Sequence, residues 1–175
     1  PSPDRLLLGS EGTLGVITQA WIRVHRRPTW RASRSVNFAE LDDALAATRA
    51  VVQSGLRPSN ARLLDPVESE SAGVSDGSSV LLLGFESADH SMQPSLDRAV
   101  AITRDHGGVA QDSGMPGRDA AGEWRSAFLK APYLRDAMVS LGVVAETFET
   151  ACTWHDLPHL VRNVTERARP TNTRD

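Results

Sequence analysis

The sequence predicts an α+β fold of the ferredoxin-like kind, a sheet with helices on one face. Two observations carry that expectation. Between residues 35 and 64 a short extended run, a stretch of helical periodicity and a second extended run follow one another, and the same order recurs between 80 and 111. The composition agrees: 40% of the 175 residues are apolar and 23% are charged, as in a folded globular chain.

Taken in order, residues 1–24 open with turn formers, pass glycines at 9, 12 and 15, and end in a strand-like run over 16–24. Arginines crowd residues 23–34 around Pro28, which suits a crossing between two structural units. Residues 35–38 read as a short strand. Leu41, Ala44, Leu45, Thr48, Val51 and Val52 recur at helical spacing, with Asn37 and Glu40 spaced for a capping box and Gly55 as a stop. Residues 61–64 return as a strand closed by Asp65-Pro66, and 68–79 is a loop of Ser, Gly and Asp. The apolar run 80–85 is the strongest strand. Leu96, Ala99, Val100 and Thr103 mark a helix ended by Gly107-Gly108, and 109–111 is the next strand. Beyond a loop at 113–119, a helix is expected over 120–130, with an interruption at Pro132 and either helix or extended chain over 134–140. A strand over 143–153, a helix over 157–168 and a frayed tail over 169–175 complete the expectation.

Several function classes fall away on composition. Nineteen Lys and Arg against 22 Asp and Glu leave a net charge of −3, without the basic excess of a nucleic-acid surface. The strand at 80–85 has one aromatic and no basic residue, unlike an RNA-recognition sheet. No apolar run approaches the length needed to span a bilayer. A single cysteine, Cys152, rules out an internal disulfide and any multi-cysteine metal site; lying in an apolar run, it is expected to be buried. The four tryptophans, Trp21, Trp30, Trp124 and Trp154, read as core anchors. His155 and His159 share helical spacing but lack a third ligand and flank Pro158, so no metal site is expected. His25, His90 and His106 are isolated and read as solvent-facing. Glu146 and Glu149 are three apart on the expected strand, so they face opposite sides and do not cooperate.

The sharpest motif is Gly9-Ser10-Glu11-Gly12-Thr13-Leu14-Gly15-Val16-Ile17-Thr18. Glycines at intervals of three free the backbone for positive φ and close approach to a ligand. The same spacing also serves a tight turn leading into a strand, and it matches neither the Rossmann fingerprint nor a P-loop. As a string, however, it resembles the Gly-Ser-Glu-Gly-Thr-Leu-Gly-Ile/Val-Ile-Thr segment of FAD-linked oxidases of the vanillyl-alcohol-oxidase type. Two further stretches resemble the alkyldihydroxyacetonephosphate synthase-like branch of that family. They are Ser59-Asn60-Ala61-Arg62-Leu63-Leu64-Asp65, and Ala131-Pro132-Tyr133-Leu134-Arg135-Asp136 followed by Ala145-Glu146-Thr147-Phe148-Glu149-Thr150-Ala151 and Trp154.

The resemblance implies a central fragment of a flavoprotein. Residues 1–24 would end the FAD-binding domain, 25–34 would cross over, 35–168 would form a cap or substrate domain incomplete at its C-terminus, and 169–175 would be tail. It implies FAD as cofactor, with Glu11, Gly12, Thr13, Leu14, Gly15, Val16 and Ile17 as flavin contacts. It implies Arg135, Arg62 and Thr147 at the substrate site. Thr147 stands where the ether-lipid enzyme has serine and keeps the hydroxyl. By residue chemistry alone, Arg135-Asp136 also suits a surface ion pair, and Arg62 the end of a strand near Asp65.

The implied reaction exchanges an acyl chain for a fatty alcohol on dihydroxyacetone phosphate without net redox change. The alternative within the family is an FAD-dependent 2-hydroxy-acid dehydrogenase of the D-lactate or glycolate type. A rival of another class is a non-catalytic ferredoxin-like binding module, which has no need of a flavin-facing loop. For the intact parent, the resemblance implies a homodimer acting on a small-molecule or lipid-like substrate, with peripheral membrane contact and no nucleic acid. The Ala- and Arg-rich composition suggests a bacterial cytoplasmic source. The acid/base residues of the family lie outside the matched stretches, so this chain alone is expected to be inactive.

Overall fold

In the computed structural model, residues 2–111, 120–144 and 147–168 are described. The elements are α1 (Pro3–Leu7), β1 (Trp30–Phe38), α2 (Leu41–Gln53), β2 (Asn60–Leu64), α3 (Pro66–Ser71), β3 (Ser79–Ser87), α4 (Gln93–Arg104), β4 (Val109–Ala110), α5 (Ala120–Ser140) and α6 (Leu157–Ala168). The strands form one antiparallel sheet in the order β2-β3-β1-β4. With α2 joining β1 to β2 and α4 joining β3 to β4, this is the ferredoxin-like arrangement the sequence predicts.

The central ladder runs from Trp30 opposite Ser87 to Phe38 opposite Ser79. Alternation along these strands sorts the side chains between two faces. Val36, Phe38, Leu81, Leu83 and Phe85 meet Ala44, Ala47 and Val51 of α2 and Leu96, Ala99 and Val100 of α4 in the main core. Full burial of each large apolar side chain contributes about 1.5–3 kcal/mol. On the opposite face Leu64, Val80 and Leu82 pack with Val74 beneath the loop after α3. Residues 80–83 are therefore buried on both faces, which explains their unbroken apolar run. Helix α5 contacts β1 and β3 but has no comparable contact with α2 or α4, so it lies on the face away from them.

Local chemistry accounts for the element ends. Gly55 follows α2 at φ 81°, in the left-handed region that ends a helix without Cβ strain. Asp65 caps α3, its Oδ1 accepting from the Glu68 N–H at 2.8 Å, with Pro66 in the first turn. Gly108 bends the chain from α4 into β4. Its N–H donates to the Thr103 carbonyl at 3.0 Å, and a Cβ there would stand 2.8 Å from Val36 Cγ1.

Several expectations change. β1 starts at Trp30, not near 35, because Trp30 to Arg34 pair with β3 across from Leu83 to Ser87. Asn37 does not cap α2. It sits within β1 and accepts from Gln111 Nε2 at 2.9 Å, while Glu40 occupies the N-cap position without a side-chain bond. The turn at Asp65-Pro66 opens the helix α3 where a loop was expected. Helix α5 continues through Pro132. Proline removes one backbone bond, and the flanking turns carry the helix past it.

Residues 16–24 and the described part of 143–153 form no strand, because among the described residues no neighbouring strand meets their backbone. Their side chains are exposed accordingly, Trp21 at 87% and Phe148 at 72%. Cys152 is exposed rather than buried. Trp21 and Trp30 are exposed and Trp154 is half-buried, so none of these three anchors the core. His25 and His90 are exposed as expected, whereas His106 is half-buried against α2. The expected loop at 113–119, Glu146 and the tail at 169–175 lie outside the described residues. Among the described residues no helix is long and apolar enough to cross a membrane.

Candidate functional site

The glycine-rich segment forms an exposed turn after α1. Gly9 and Gly12 take φ of 81° and 83°, and Glu11 takes 51°, a left-handed conformation uncommon for a residue with a side chain. Thr13 holds the turn twice over: its N–H and its Oγ1 both donate to the Ser10 carbonyl, at 2.9 and 2.6 Å. A Cβ at Gly9 or Gly12 would meet nothing within 4 Å, so the backbone there stands open on one side. Leu14, Val16 and Ile17 beyond the turn are exposed as well.

Arg62 belongs to the sheet face away from α2 and α4, whereas Arg135 lies on helix α5. Arg62 lies opposite Leu82, in the central row of that face. Its Nη2 stands 3.7 Å from Glu68 Oε1, and both side chains are a little under half exposed. Arg135 lies in the exposed part of α5 and has an interaction partner. Thr147 is exposed on the segment between α5 and α6. Neither α1 nor α6 packs extensively on another element. The glycine turn itself is largely exposed.

The same face carries polar groups beside the apolar Leu64, Val80 and Leu82. It carries Arg31, Ser33, Ser35 and Asn37 from β1, Asn60 from β2 and Gly84 and Glu86 from β3. Arg31 and Glu86 pair across the strands at 3.2 Å. Asn60 Nδ2 donates to the Leu82 carbonyl at 3.3 Å, and Ser59 Oγ to the Gly84 carbonyl at 3.0 Å. Polar atoms on this face are therefore tied to the sheet, which fixes the direction in which they are presented.

Two other clusters do different work. Ser87 Oγ, Asp89 Oδ1 and His90 Nδ1 lie within 2.6–3.1 Å of one another. The histidine meets both partners through one nitrogen, so it cannot relay a proton between them as a catalytic triad does. The cluster is an exposed turn cap. The Ser87 hydrogen bond, followed by His90, holds the Asp89 carboxyl below its ordinary range. A cleft of about 510 Å³ opens between α2 and the start of α6, with Arg49, His106 and Trp154 in its walls. His159 Nδ1 lies 3.2 Å from Arg162 Nη2, and among the described residues no three His, Cys, Asp or Glu gather as metal ligands.

The Arg62–Glu68 pair escaped sequence reasoning, although one signal was there. Asp65-Pro66-Val67-Glu68 has the N-cap-to-N3 spacing of a capping box, which starts a helix and turns Glu68 back towards the end of β2.

A four-stranded ferredoxin-like sheet with two helices on one face, preceded by an open glycine turn, is an α+β domain of a class shared by many enzymes and binding modules. Residues 27–174 match the family described as FAD linked oxidases, C-terminal domain, and the chain belongs to that family. The chain is similar to alkyldihydroxyacetonephosphate synthase of Caenorhabditis elegans, at 28% identity over 95% of this chain and 32% of that protein. It is also similar to the mitochondrial cytochrome-type D-lactate dehydrogenase of Arabidopsis thaliana, at 37% identity over 42% of this chain and 13% of that protein. A solved alkyldihydroxyacetonephosphate synthase superposes with a TM-score of 0.72 at 22% identity, covering 94% of this chain and 36% of that one, which shows a shared fold. The chain spans about a third or less of the curated relatives' length. The expected family, fold class and FAD cofactor all stand.

The residues at 9–17 fit one flank of a flavin. The open backbone at Gly9 and Gly12 admits a flat ring without a Cβ in the way, and the exposed Leu14, Val16 and Ile17 offer it apolar cover.

Proposed function

We propose that this chain supplies the substrate-side domain of an FAD-dependent enzyme of the alkyldihydroxyacetonephosphate synthase kind, exchanging an acyl chain for an alkyl chain on dihydroxyacetone phosphate. The observation that carries the reading is the breadth of the likeness to the nematode synthase, which extends over 95% of this chain. Residues 1–24 border the flavin, 25–34 cross over, and the remainder to 168 faces the substrate. Glu11, Gly12, Thr13, Leu14, Gly15, Val16 and Ile17 would hold one flank of FAD, which when bound supplies an electrophilic ring for the substrate carbon. Arg62 and Arg135 neutralise the substrate's phosphate or the departing carboxylate, a role suited to the planar guanidinium. Thr147 would offer a hydroxyl donor to the same substrate.

The reading extends to a lipid-like substrate, a homodimeric parent with peripheral membrane contact, and a bacterial cytoplasmic setting. A second reading, a D-lactate-type dehydrogenase, draws on the higher identity over a shorter stretch. Assaying the flavin-loaded enzyme that carries this segment separates the two. Exchange of labelled alcohol into acyl-dihydroxyacetone phosphate without dye reduction supports the synthase; D-lactate-dependent dye reduction without exchange supports the dehydrogenase.

A further inference from the structure

We propose that Glu68 is a resident counter-anion of Arg62, and that an oxyanion ligand, phosphate or carboxylate, binds Arg62 by taking Glu68's place. The proposal rests on the reading that Arg62 faces the substrate, and it adds the residue that sets how tightly an anion is held there.

The geometry is that of a loose, exchangeable pair. Arg62 Nη2 and Glu68 Oε1 are 3.7 Å apart, beyond the range of a charge-assisted hydrogen bond, and the two side chains are 42% and 44% exposed. Both ends are nonetheless anchored at the backbone. Arg62 lies within the ladder between β2 and β3, opposite Leu82. Glu68 sits in the first turn of α3, its N–H held by Asp65 Oδ1 at 2.8 Å. The carboxylate is thus kept near the guanidinium without being locked to it. Arg62 and Glu68 each have a further interaction besides this pair. An exposed pair of this sort adds little to stability. Its consequence is a competition. An incoming anion must displace a carboxylate already present, and it then remains beside that negative charge.

Glu68→Gln isolates this effect. It keeps the side chain's length and the backbone N–H bonded to Asp65, and removes only the charge. Binding of inorganic phosphate, glycerol 3-phosphate and D-lactate to the full 175-residue chain is measured by calorimetry, with circular dichroism confirming the fold of each variant. Glu68→Gln is expected to tighten anion binding about two- to five-fold, matching the strength of an exposed pair. Arg62→Ala is expected to abolish binding, and the gain from Glu68→Gln to vanish in the double variant. A larger gain for the two phosphates assigns the site to a phosphate ester, and a larger gain for D-lactate assigns it to a carboxylate.

Unchanged or weaker binding by Glu68→Gln overturns the proposal, as does failure of both the wild-type chain and Glu68→Gln to bind any of the three anions. If Arg62→Ala binds like wild type, the reading of Arg62 as a substrate residue fails first. If Arg62→Ala loses binding while Glu68→Gln changes nothing, that reading stands and the role given to Glu68 fails alone.

Discussion

Gly108→Ala is expected to destabilise the domain by about 2 kcal/mol, although alanine is usually the better residue. The added Cβ would stand 2.8 Å from the Thr103 carbonyl oxygen, 2.8 Å from Val36 Cγ1 and 2.9 Å from Phe38 Cζ. Carbon atoms in favourable contact lie about 3.5–4.0 Å apart, so every one of these approaches is repulsive. None of the three neighbours can step aside: Thr103 and Val36 are fully buried, Phe38 is 1% exposed, and the oxygen belongs to a helix backbone. Overpacking by one carbon costs about 1–3 kcal/mol, and three simultaneous clashes in a dense core place this site towards the upper end. Against it stands the entropy that alanine removes from the unfolded chain, about 0.4–1 kcal/mol. With a urea slope of about 2 kcal/mol per molar, the unfolding midpoint followed by circular dichroism falls by about 1 M. Gly55→Asn is the control, since that site has a left-handed φ and open space, and asparagine tolerates both. A Gly108→Ala midpoint equal to wild type would refute the close-packing argument.

Other expectations concern hydroxyl groups. Ser79 is fully buried and its Oγ has no hydrogen-bond partner among the described residues, so Ser79→Ala is expected to leave stability unchanged or raise it by about 1 kcal/mol, read from the same urea midpoint. A loss of more than about 1 kcal/mol would mean that the hydroxyl is satisfied by water. Ser87→Ala is expected to move the Asp89 titration upward, since the Ser87 hydrogen bond is the largest cause of its lowered value. A carboxyl lowered on folding adds stability above its unfolded value, and that stability is lost as pH falls through the folded one. The turn at 87–90 therefore loosens at the acid end, which carboxyl NMR shifts of wild type and Ser87→Ala would follow. An unmoved Asp89 titration would exclude Ser87 as the cause.

Legibility varied with how local the controlling physics was. Helix α2 could be read from its apolar spacing and Gly55, and β3 from an apolar run that proved to be buried on both sides. Asn37 misled because an Asn-x-x-Glu spacing resembles a cap, whereas pairing with β3 and a bond from Gln111 hold that residue in a strand. Cys152 misled for a related reason: apolar neighbours predict burial only where a partner surface exists to bury against. In the candidate site, the glycine turn was visible as a string, and its left-handed residues match the need for glycine at 9 and 12. The carboxylate beside Arg62 was not read, because Glu68 reaches the arginine only after Asp65 and Pro66 turn the chain.

By itself the sequence determined what depends on neighbours a few residues away: the order of strands and helices, the stops at glycine, the two-fold strand–helix–strand pattern and the family. Periodicity and turn chemistry act over such distances. Only the tertiary structure decided the register of the strands, that Arg62 stands among both apolar and polar side chains on the face away from α2 and α4, and that residues 16–24 form no ladder here. The physical reason is pairing. A strand's hydrogen bonds and a charge's partner come from chain remote in sequence, so neither exists until the fold brings the two together.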